Sequence, residues 1–276
     1  MSWSAVRILP SENQAGRDAI VAALFACGAQ AVVEDGPAIV THFRATSDLA
    51  PIRSAILAAD PGATITDLPI GDEDWSVAWR SRVQAHDAGS FTVTPPWLAD
   101  AFDPARTIVI DPGMAFGTGD HASTRGVLRF LSRMLQRGDV VADLGAGSAV
   151  LSIAAAKLGA ARVYAIESDP DAFGNATTNV SMNGVQDSVH LLEGDAFALL
   201  PLVAPVQLIL ANIISSVLIE LLPIMKDSLT RDGRAILSGV LSSEKLELTR
   251  VLKANNWQIL DEWSEDDWWT VATAAG

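Results

Sequence analysis

Residues 143–149 read Asp-Leu-Gly-Ala-Gly-Ser-Ala, between the apolar run Asp139–Ala142 and the helical run Val150–Gly159. This order describes a strand that stops on a carboxylate, a turn built on Gly145 and Gly147, and a helix that begins at once. Glycine permits positive φ and lets a ligand lie against bare peptide. The first turn of the new helix offers N–H groups that have no partner inside the helix. Glu167 closes the next apolar run, Arg162–Ile166, where a carboxylate is placed to hold a ribose diol. These features predict a cofactor that carries a nucleoside.

On either side of this turn, strands and helices alternate from residue 106 onward. Strands are expected at Asp139–Asp143, Arg162–Glu167, Val189–Leu192, Gln207–Ala211 and Ala235–Ser238. Helices are expected at Thr124–Gln136, Val150–Leu158, Asp171–Asn183, Ser215–Leu229 and Glu244–Asn255. Alternation of this kind gives a parallel sheet covered by helices on both faces. The end departs from it: Trp257–Trp263 and Trp268–Ala272 flank Ser264–Asp267 and read as a hairpin, so the doubly wound sheet closes on an antiparallel strand.

Residues 1–70 form a separate pattern. Trp3–Leu9 reads as a strand and Glu12–Cys27 as a helix with Ser11 in position to cap it. Ala31–Glu34 and Ala38–Arg44 flank the Asp35-Gly36-Pro37 turn, Asp48–Ala59 is helical behind Ser47, and Thr64–Leu68 is a closing strand. The order βαββαβ is that of a small ferredoxin-like α+β sandwich. Residues 71–105 read as a linker region, with Trp75 and Trp79 on one helix face at i, i+4 spacing. Those indoles pack on a neighbouring domain or grip a partner. The domain expectation is therefore 1–70, a 71–105 linker and 106–276.

Composition sets the outer bounds. A 276-residue chain with 49% hydrophobic and 19% charged residues can bury proper cores and falls among soluble α/β enzymes. A net charge of −14 argues against direct nucleic-acid binding, which needs clustered Lys and Arg. It suits a basic partner, or serves solubility. Cys27 is the single cysteine; it excludes an internal disulfide and a cysteine-based metal cluster and reads as a small core residue. No basic region followed by an apolar core opens the chain, and no run of about 18 apolar residues occurs, which predicts a cytoplasmic protein without a spanning helix. A monomer without a metal site is expected.

The turn also discriminates between cofactors. A nicotinamide-binding Gly-x-Gly-x-x-Gly that starts at Gly145 needs glycine at position 150, where the chain has Val150. The Asp-x-Gly-x-Gly form suits S-adenosylmethionine, which has no pyrophosphate to cradle. Asp143 answers its ammonium, directly or through water; the Gly145–Gly147 backbone answers its carboxylate, and Glu167 its ribose hydroxyls. Asp195, after the third strand, is placed either to meet the adenine edge or to cap a helix.

Two further segments narrow the reading. Upstream, residues 111–125 read Asp-Pro-Gly-Met-Ala-Phe-Gly-Thr-Gly-Asp-His-Ala-Ser-Thr-Arg, and after the fourth strand residues 211–214 read Ala-Asn-Ile-Ile. Together with Asp72–Trp79 and Asp143–Gly159, these segments resemble the ribosomal protein L-eleven methyltransferase family (PrmA) over most of residues 72–240. The resemblance implies a seven-stranded Rossmann-like methyltransferase sheet. It also implies that Thr124, Gly145, Glu167 and Asn212 contact S-adenosylmethionine, while Phe116, Gly117, Thr118 and Gly119 form a loop that closes over it. Gly113, Gly117 and Gly119 supply hinges for such a loop, and Phe116 an apolar surface that sheds water. His121 is given no catalytic role. The chain departs from the family in having Ala149 in place of a common glycine, Asp120 in place of threonine or histidine, and Glu167 in place of the more usual aspartate.

Methyl transfer from a sulfonium is an in-line displacement that asks for alignment and exclusion of water. Asn212 and the peptide carbonyls beside it are the groups that would hold a neutral amine by its N–H groups. Ile213-Ile214 lacks the Pro-Pro-aromatic continuation of enzymes that methylate planar amides or adenine amino groups, which favours an aliphatic amine. The expected reaction is N-methylation of lysine side chains or the N-terminal amine of a basic large-subunit ribosomal protein. The alternatives are another protein, a small-molecule amine, or a cofactor-binding module without turnover.

Overall fold

The computed structural model describes residues 3–11, 14–27, 29, 32–44, 49–68, 83–111 and 119–276. Trp75, Trp79, Ser47, Phe116, Gly117 and Thr118, named above, lie outside them. The chain divides into two compact units, Met1–Arg82 and Val83–Gly276.

In the first unit the described elements are β1 (Trp3–Leu9), α1 (Gln14–Ala26), β2 (Val32–Asp35), β3 (Ala38–Arg44), α2 (Leu49–Ala59) and β4 (Thr64–Leu68). The sheet has the order β2-β3-β1-β4 with every neighbouring pair antiparallel, which is the expected split βαβ arrangement. Alternate residues of the strands, Val6, Ile8, Ile39 and Phe43, meet Ile20, Leu24, Ile52 and Ile56 of the helices in one core. Cys27 is half-buried and packs against it. Ser11 gives its backbone N–H (2.7 Å) and its hydroxyl (2.6 Å) to Asp60. Those bonds, the hydroxyl's first, hold the Asp60 carboxyl below its ordinary pKa.

The second unit carries a seven-stranded sheet of order β10-β9-β8-β11-β12-β14-β13. Its strands are β8 (Val140–Leu144), β9 (Arg162–Glu167), β10 (Val189–Glu193), β11 (Val206–Asn212), β12 (Leu229–Leu241), β13 (Trp257–Glu265) and β14 (Trp268–Ala275). Counted from β8 the order is 3-2-1-4-5-7-6. All neighbours are parallel except β14, which runs antiparallel to both β12 and β13. Helices α3 (Ala122–Met134), α4 (Val150–Lys157), α5 (Pro170–Met182), α6 (Ala196–Val203), α7 (Ser215–Ser228) and α8 (Lys245–Ala254) cover its faces. Successive strand residues point to opposite faces: Val141 and Leu210 enter one core, Ala142 and Ile209 the other. Both faces are covered, which explains the nearly continuous apolar strands. The strand order reverses between β8 and β11, the position at which open α/β sheets bind ligands.

Several boundaries differ from expectation. Within the 71–105 stretch read as a linker, β5 (His86–Ala88) and β6 (Phe91–Thr94) form a three-stranded sheet with β7 (Thr107–Val109), and all three belong to the second unit. β12 is 13 residues long because a polar irregularity near residues 230–233 continues the strand backward from Ala235. The terminal hairpin turns on Asp266-Asp267 alone, since Ser264 and Glu265 pair with Trp269 and Trp268. α6 is missing from the helices expected by pattern, and Asp195, for which a helix cap is one of two readings, caps it by accepting from the Phe197 N–H at 2.8 Å. Among the described residues, no helix is long and apolar enough to cross a membrane.

α3 lies directly on β14. A Cβ at Gly126 would stand 2.2 Å from Thr270 Oγ1 and 2.9 Å from its Cβ. Nearby, the buried Ser238 hydroxyl donates to the Ser123 carbonyl (3.0 Å) and shares a 2.7 Å bond with Thr270, so the helix backbone has no room to withdraw. Gly126→Ala is expected to destabilise the second unit by about 1–3 kcal/mol through overpacking. Urea unfolding would show a lower midpoint at an unchanged slope.

Candidate functional site

The turn after β8 is fixed by hydrogen bonds to β9. The N–H groups of Gly145 and Ala146 both donate to the Ile166 carbonyl, at 2.9 and 3.0 Å. The Gly147 N–H donates to Glu167 Oε2 at 2.7 Å. Gly145 (φ 68°), Gly147 (φ 54°) and Ala149 (φ 65°) all adopt positive φ, a conformation that glycine accepts without strain and alanine does not. The N–H groups assigned by sequence to a ligand carboxylate are thus already spent on β9.

Glu167 is buried and accepts three backbone N–H groups: Gly147 at Oε2, Ser168 (2.8 Å) and Asp169 (2.9 Å) at Oε1. A carboxylate offers about four acceptor positions, so one stays open here. A vicinal diol that donates twice must displace one of these amides, and the Gly147 contact is the one that belongs to the turn.

Asp143, at the end of β8, is buried with its Oδ2 accepting from the Ser152 hydroxyl at 2.6 Å. Its Oδ1 is buried and has no hydrogen-bond partner. Burial pushes the carboxyl up to about 7; the Ser152 bonds oppose the rise and the charge of Glu167 adds to it. A buried, unsatisfied carboxylate oxygen costs free energy until a donor or a cation reaches it. This atom is the observation that fits the ammonium of S-adenosylmethionine.

Asn212 ends β11. Ala211 pairs with Leu144, so Asn212 follows opposite Gly145. Its Nδ2 donates to Thr124 Oγ1 at 3.2 Å, which leaves Oδ1 as the free acceptor of the amide. Thr124 is buried in the first turn of α3, where its N–H donates to the His121 carbonyl. The next residue, Ile213, is held between two glycines. A Cβ at Gly145 would lie 2.7 Å from Ile213 Cγ2, and a Cβ at Gly239 would lie 2.6 Å from the Ile213 carbonyl oxygen. Gly239, in β12, has φ 79°. Asp143, Gly145, Gly147 and Glu167 therefore form one cluster, Thr124 and Asn212 a second, and Ile213 joins them.

The segment leading to residue 111 is pinned from α5. Asn183 accepts from the Val109 N–H (2.9 Å) and donates to the Val109 carbonyl (2.6 Å). Asn179 accepts from the Asp111 N–H at 2.9 Å and donates to the Ser148 carbonyl at 3.0 Å, while Asn175 donates to the Asp111 carbonyl. Three asparagines at four-residue spacing thus tie this segment to the turn after β8. Gly119 is buried, with φ 90°, where a Cβ would meet Val93 Cγ1 at 2.9 Å. His121 caps α3 through Nδ1, which bonds the Ser123 hydroxyl at 2.8 Å, and its ring meets Trp268 edge-on at 4.6 Å.

Ser152, Gly239 and the asparagine ladder were not singled out from sequence. A lone serine in the apolar helix Val150–Lys157 and asparagines repeated every four residues along α5 and its C-cap are signals of buried polar partners. A glycine inside a strand signals close backbone approach.

The family model for ribosomal protein L11 methyltransferase (PrmA) matches residues 3–275. The ribosomal protein L11 methyltransferase of Thermus thermophilus is 38% identical over 200 residues, covering 72% of this chain and 76% of that protein. The protein of the same name from Bacillus cytotoxicus is 31% identical over 276 residues, covering 94% of this chain and 86% of the relative. Among solved structures, the ribosomal protein L11 methylase of Lactobacillus delbrueckii subsp. bulgaricus superposes with a TM-score of 0.63 at 28% identity, over 70% of this chain and 98% of that one. With a match over nearly its whole length and a sheet that agrees with it, the chain belongs to the ribosomal protein L11 methyltransferase family.

Proposed function

We propose that the chain methylates amine nitrogens, lysine side chains and the N-terminal amine, on the ribosomal protein for which its relatives are named, with S-adenosylmethionine as methyl donor. The observation that supports this reading is the Thr124–Asn212 pair, held at the switch point beside the unsatisfied Asp143 Oδ1. The first unit, Met1–Arg82, is the part we assign to recognition of the target protein.

When bound, the cofactor supplies an electrophilic methyl group on a sulfonium. Asp143 Oδ1 would hold its ammonium and Glu167 its ribose, with Gly145 and Gly147 forming the floor of the turn. Asn212 works on the acceptor. A lysine amine with an ordinary pKa of about 10.4 is protonated in water; leaving water for this site favours the neutral form. Asn212 Oδ1 and neighbouring peptide carbonyls then accept from its N–H groups and aim the lone pair. Thr124 keeps the Asn212 amide in that orientation. No side chain need become an acid or base in the transfer step, and the rate depends on alignment.

Three outcomes follow from these roles. Asn212→Ala is expected to lower kcat by about 10²-fold or more, as expected when a reacting group is misaligned. Intact mass of the purified ribosomal protein, measured after reaction with wild type and variant, would show equal methyl gain if Asn212 has no part. Gly239→Ala is expected to push the Ile213 peptide and lower kcat by about tenfold, with cofactor affinity kept within about threefold; a loss confined to cofactor binding would refute the assignment. The third concerns pH. Asp143 has a folded pKa of about 7 against an ordinary 3.8, so its contribution to stability is full below about pH 4 and is lost as pH rises toward 7. Relative to Asp143→Asn, the ligand-free wild type should lose stability on the order of 1.4 kcal/mol per pH unit across that window. Urea titrations at pH 5 and 7.5 that run parallel for the two proteins would exclude this protonation state.

A further inference from the structure

Around the Asn212 loop the surface is apolar where the fold has no use for apolar side chains. Ile214 is 65% exposed, Leu241 40% and Leu246 71%. In α8 the core is met by Leu248 and Leu252, one turn apart on a single face; Leu246 stands on the other side of that helix. One carboxylate ties together the segments that carry them. Glu244 accepts from the Ser215 hydroxyl at 2.7 Å, next to Ile214, and from the Leu241 N–H at 3.0 Å, and Leu246 stands two residues after it in the first turn of α8. Scattered exposed leucines need no explanation, but a cluster beside a reaction centre marks an interaction surface.

Charge indicates what covers it. The loop after β12 is tied to the hairpin turn, where the Ser242 N–H donates to the Asp267 carbonyl at 2.7 Å. The cations on this side are taken: Lys245 pairs with Glu262 at 2.9 Å and Arg125 with Glu265 at 3.0 Å. Among the described residues, Glu244, Asp266 and Asp267 enter no ion pair, and both aspartates are exposed. Apolar side chains rimmed by uncompensated carboxylates complement a segment that is basic and carries an apolar anchor.

We infer that Ile214, Leu241 and Leu246, framed by Glu244, Asp266 and Asp267, dock the segment of the substrate protein that carries the target amine: a lysine-containing stretch with a large apolar residue close to the methylated position. This surface holds the acceptor at the site itself, apart from recognition by the first unit, and it rests on the ribosomal-protein reading above. The apolar contacts set affinity, and the carboxylates set the rate and salt dependence of encounter.

The test is steady-state kinetics with the purified ribosomal protein as acceptor. Ile214→Gln/Leu246→Gln should raise KM for that protein about tenfold, with kcat and cofactor affinity each within about twofold of wild type. Leu202→Gln, just before the amino end of β11 whereas Asn212 stands at its carboxyl end, and likewise exposed (77%), should change nothing. Asp266→Asn/Asp267→Asn should flatten the dependence of kcat/KM on salt. An unchanged KM in the double glutamine variant, with wild type active, overturns the docking surface and leaves the function standing. A wild type that methylates no ribosomal protein overturns the function, and the docking surface with it. A wild type whose self-association is lost in the same variant, at constant KM, makes the patch a contact between copies and also overturns the inference.

Discussion

Ile213 has a glycine on each side, and most of the site's geometry depends on that fact. Gly145 belongs to the turn that would receive the cofactor, Gly239 to the irregular part of β12, and neither position has room for a methyl group against Ile213. The residue before Ile213 is Asn212 and the one after it is the exposed Ile214. The β8 turn, the Asn212 amide and the exposed Ile214 are consequently registered against one peptide. In an in-line displacement, where a misplacement of about 1 Å can cost 10²-fold in rate, close packing of this kind is a stiffer restraint than a hydrogen bond, because steric repulsion rises far more steeply with distance.

Polar burial follows the same division. At the amino ends of the strands the buried charge is neutralised: Arg234 pairs with Asp139 at 2.9 Å, and Asp139 also accepts from the Gln136 N–H. At the carboxyl ends, Asp143 keeps an unsatisfied oxygen and Glu167 keeps an acceptor position beyond its three amides. The first arrangement compensates charge at the amino end of the sheet; the second leaves a cost that a bound donor or cation would relieve. The asparagine ladder of α5 stands between them. It bonds the backbone of Val109 and Asp111 as a neighbouring strand would, and through Asn179 it reaches the Ser148 carbonyl of the turn after β8.

The sheet layout, and the nearness of four residues that the sequence singled out, could be read because each depends on local pattern. Asp143, Gly145, Gly147 and Glu167 lie on two consecutive strand ends, and alternation of strands and helices places them together. What could not be read depends on contacts between distant residues. α6 is apolar all round with Pro201 inside it, so no 3.6-residue periodicity announces a helix. β5 and β6 are short and joined through Gly89-Ser90, which by composition looks like linker. The partner of Ser152 lies nine residues away, and the role of Gly239 exists only once Ile213 is laid across it. A glycine's reason is the atom it makes room for, and that atom is rarely its neighbour in sequence.

Ala149 shows how the turn tolerates its departure from glycine. A left-handed residue that carries a Cβ costs about 1–2 kcal/mol. The same methyl is fully buried in the core beneath the sheet, and burying one such group returns about 0.8 kcal/mol. The remainder is small beside the bonds that fix this conformation from outside. The Ala149 N–H donates to the Ala146 carbonyl at 2.8 Å, its carbonyl accepts from the Ile153 N–H at 2.9 Å, and Gly145 and Ala146 are already anchored to Ile166. With its neighbours held on both sides, residue 149 has little freedom to choose another conformation. The turn's shape is therefore imposed by β9 and the first turn of α4, and glycine at this position would relieve strain without being needed to create the shape. Asp143 and Glu167 have no such external substitute, because their chemistry resides in their own side chains.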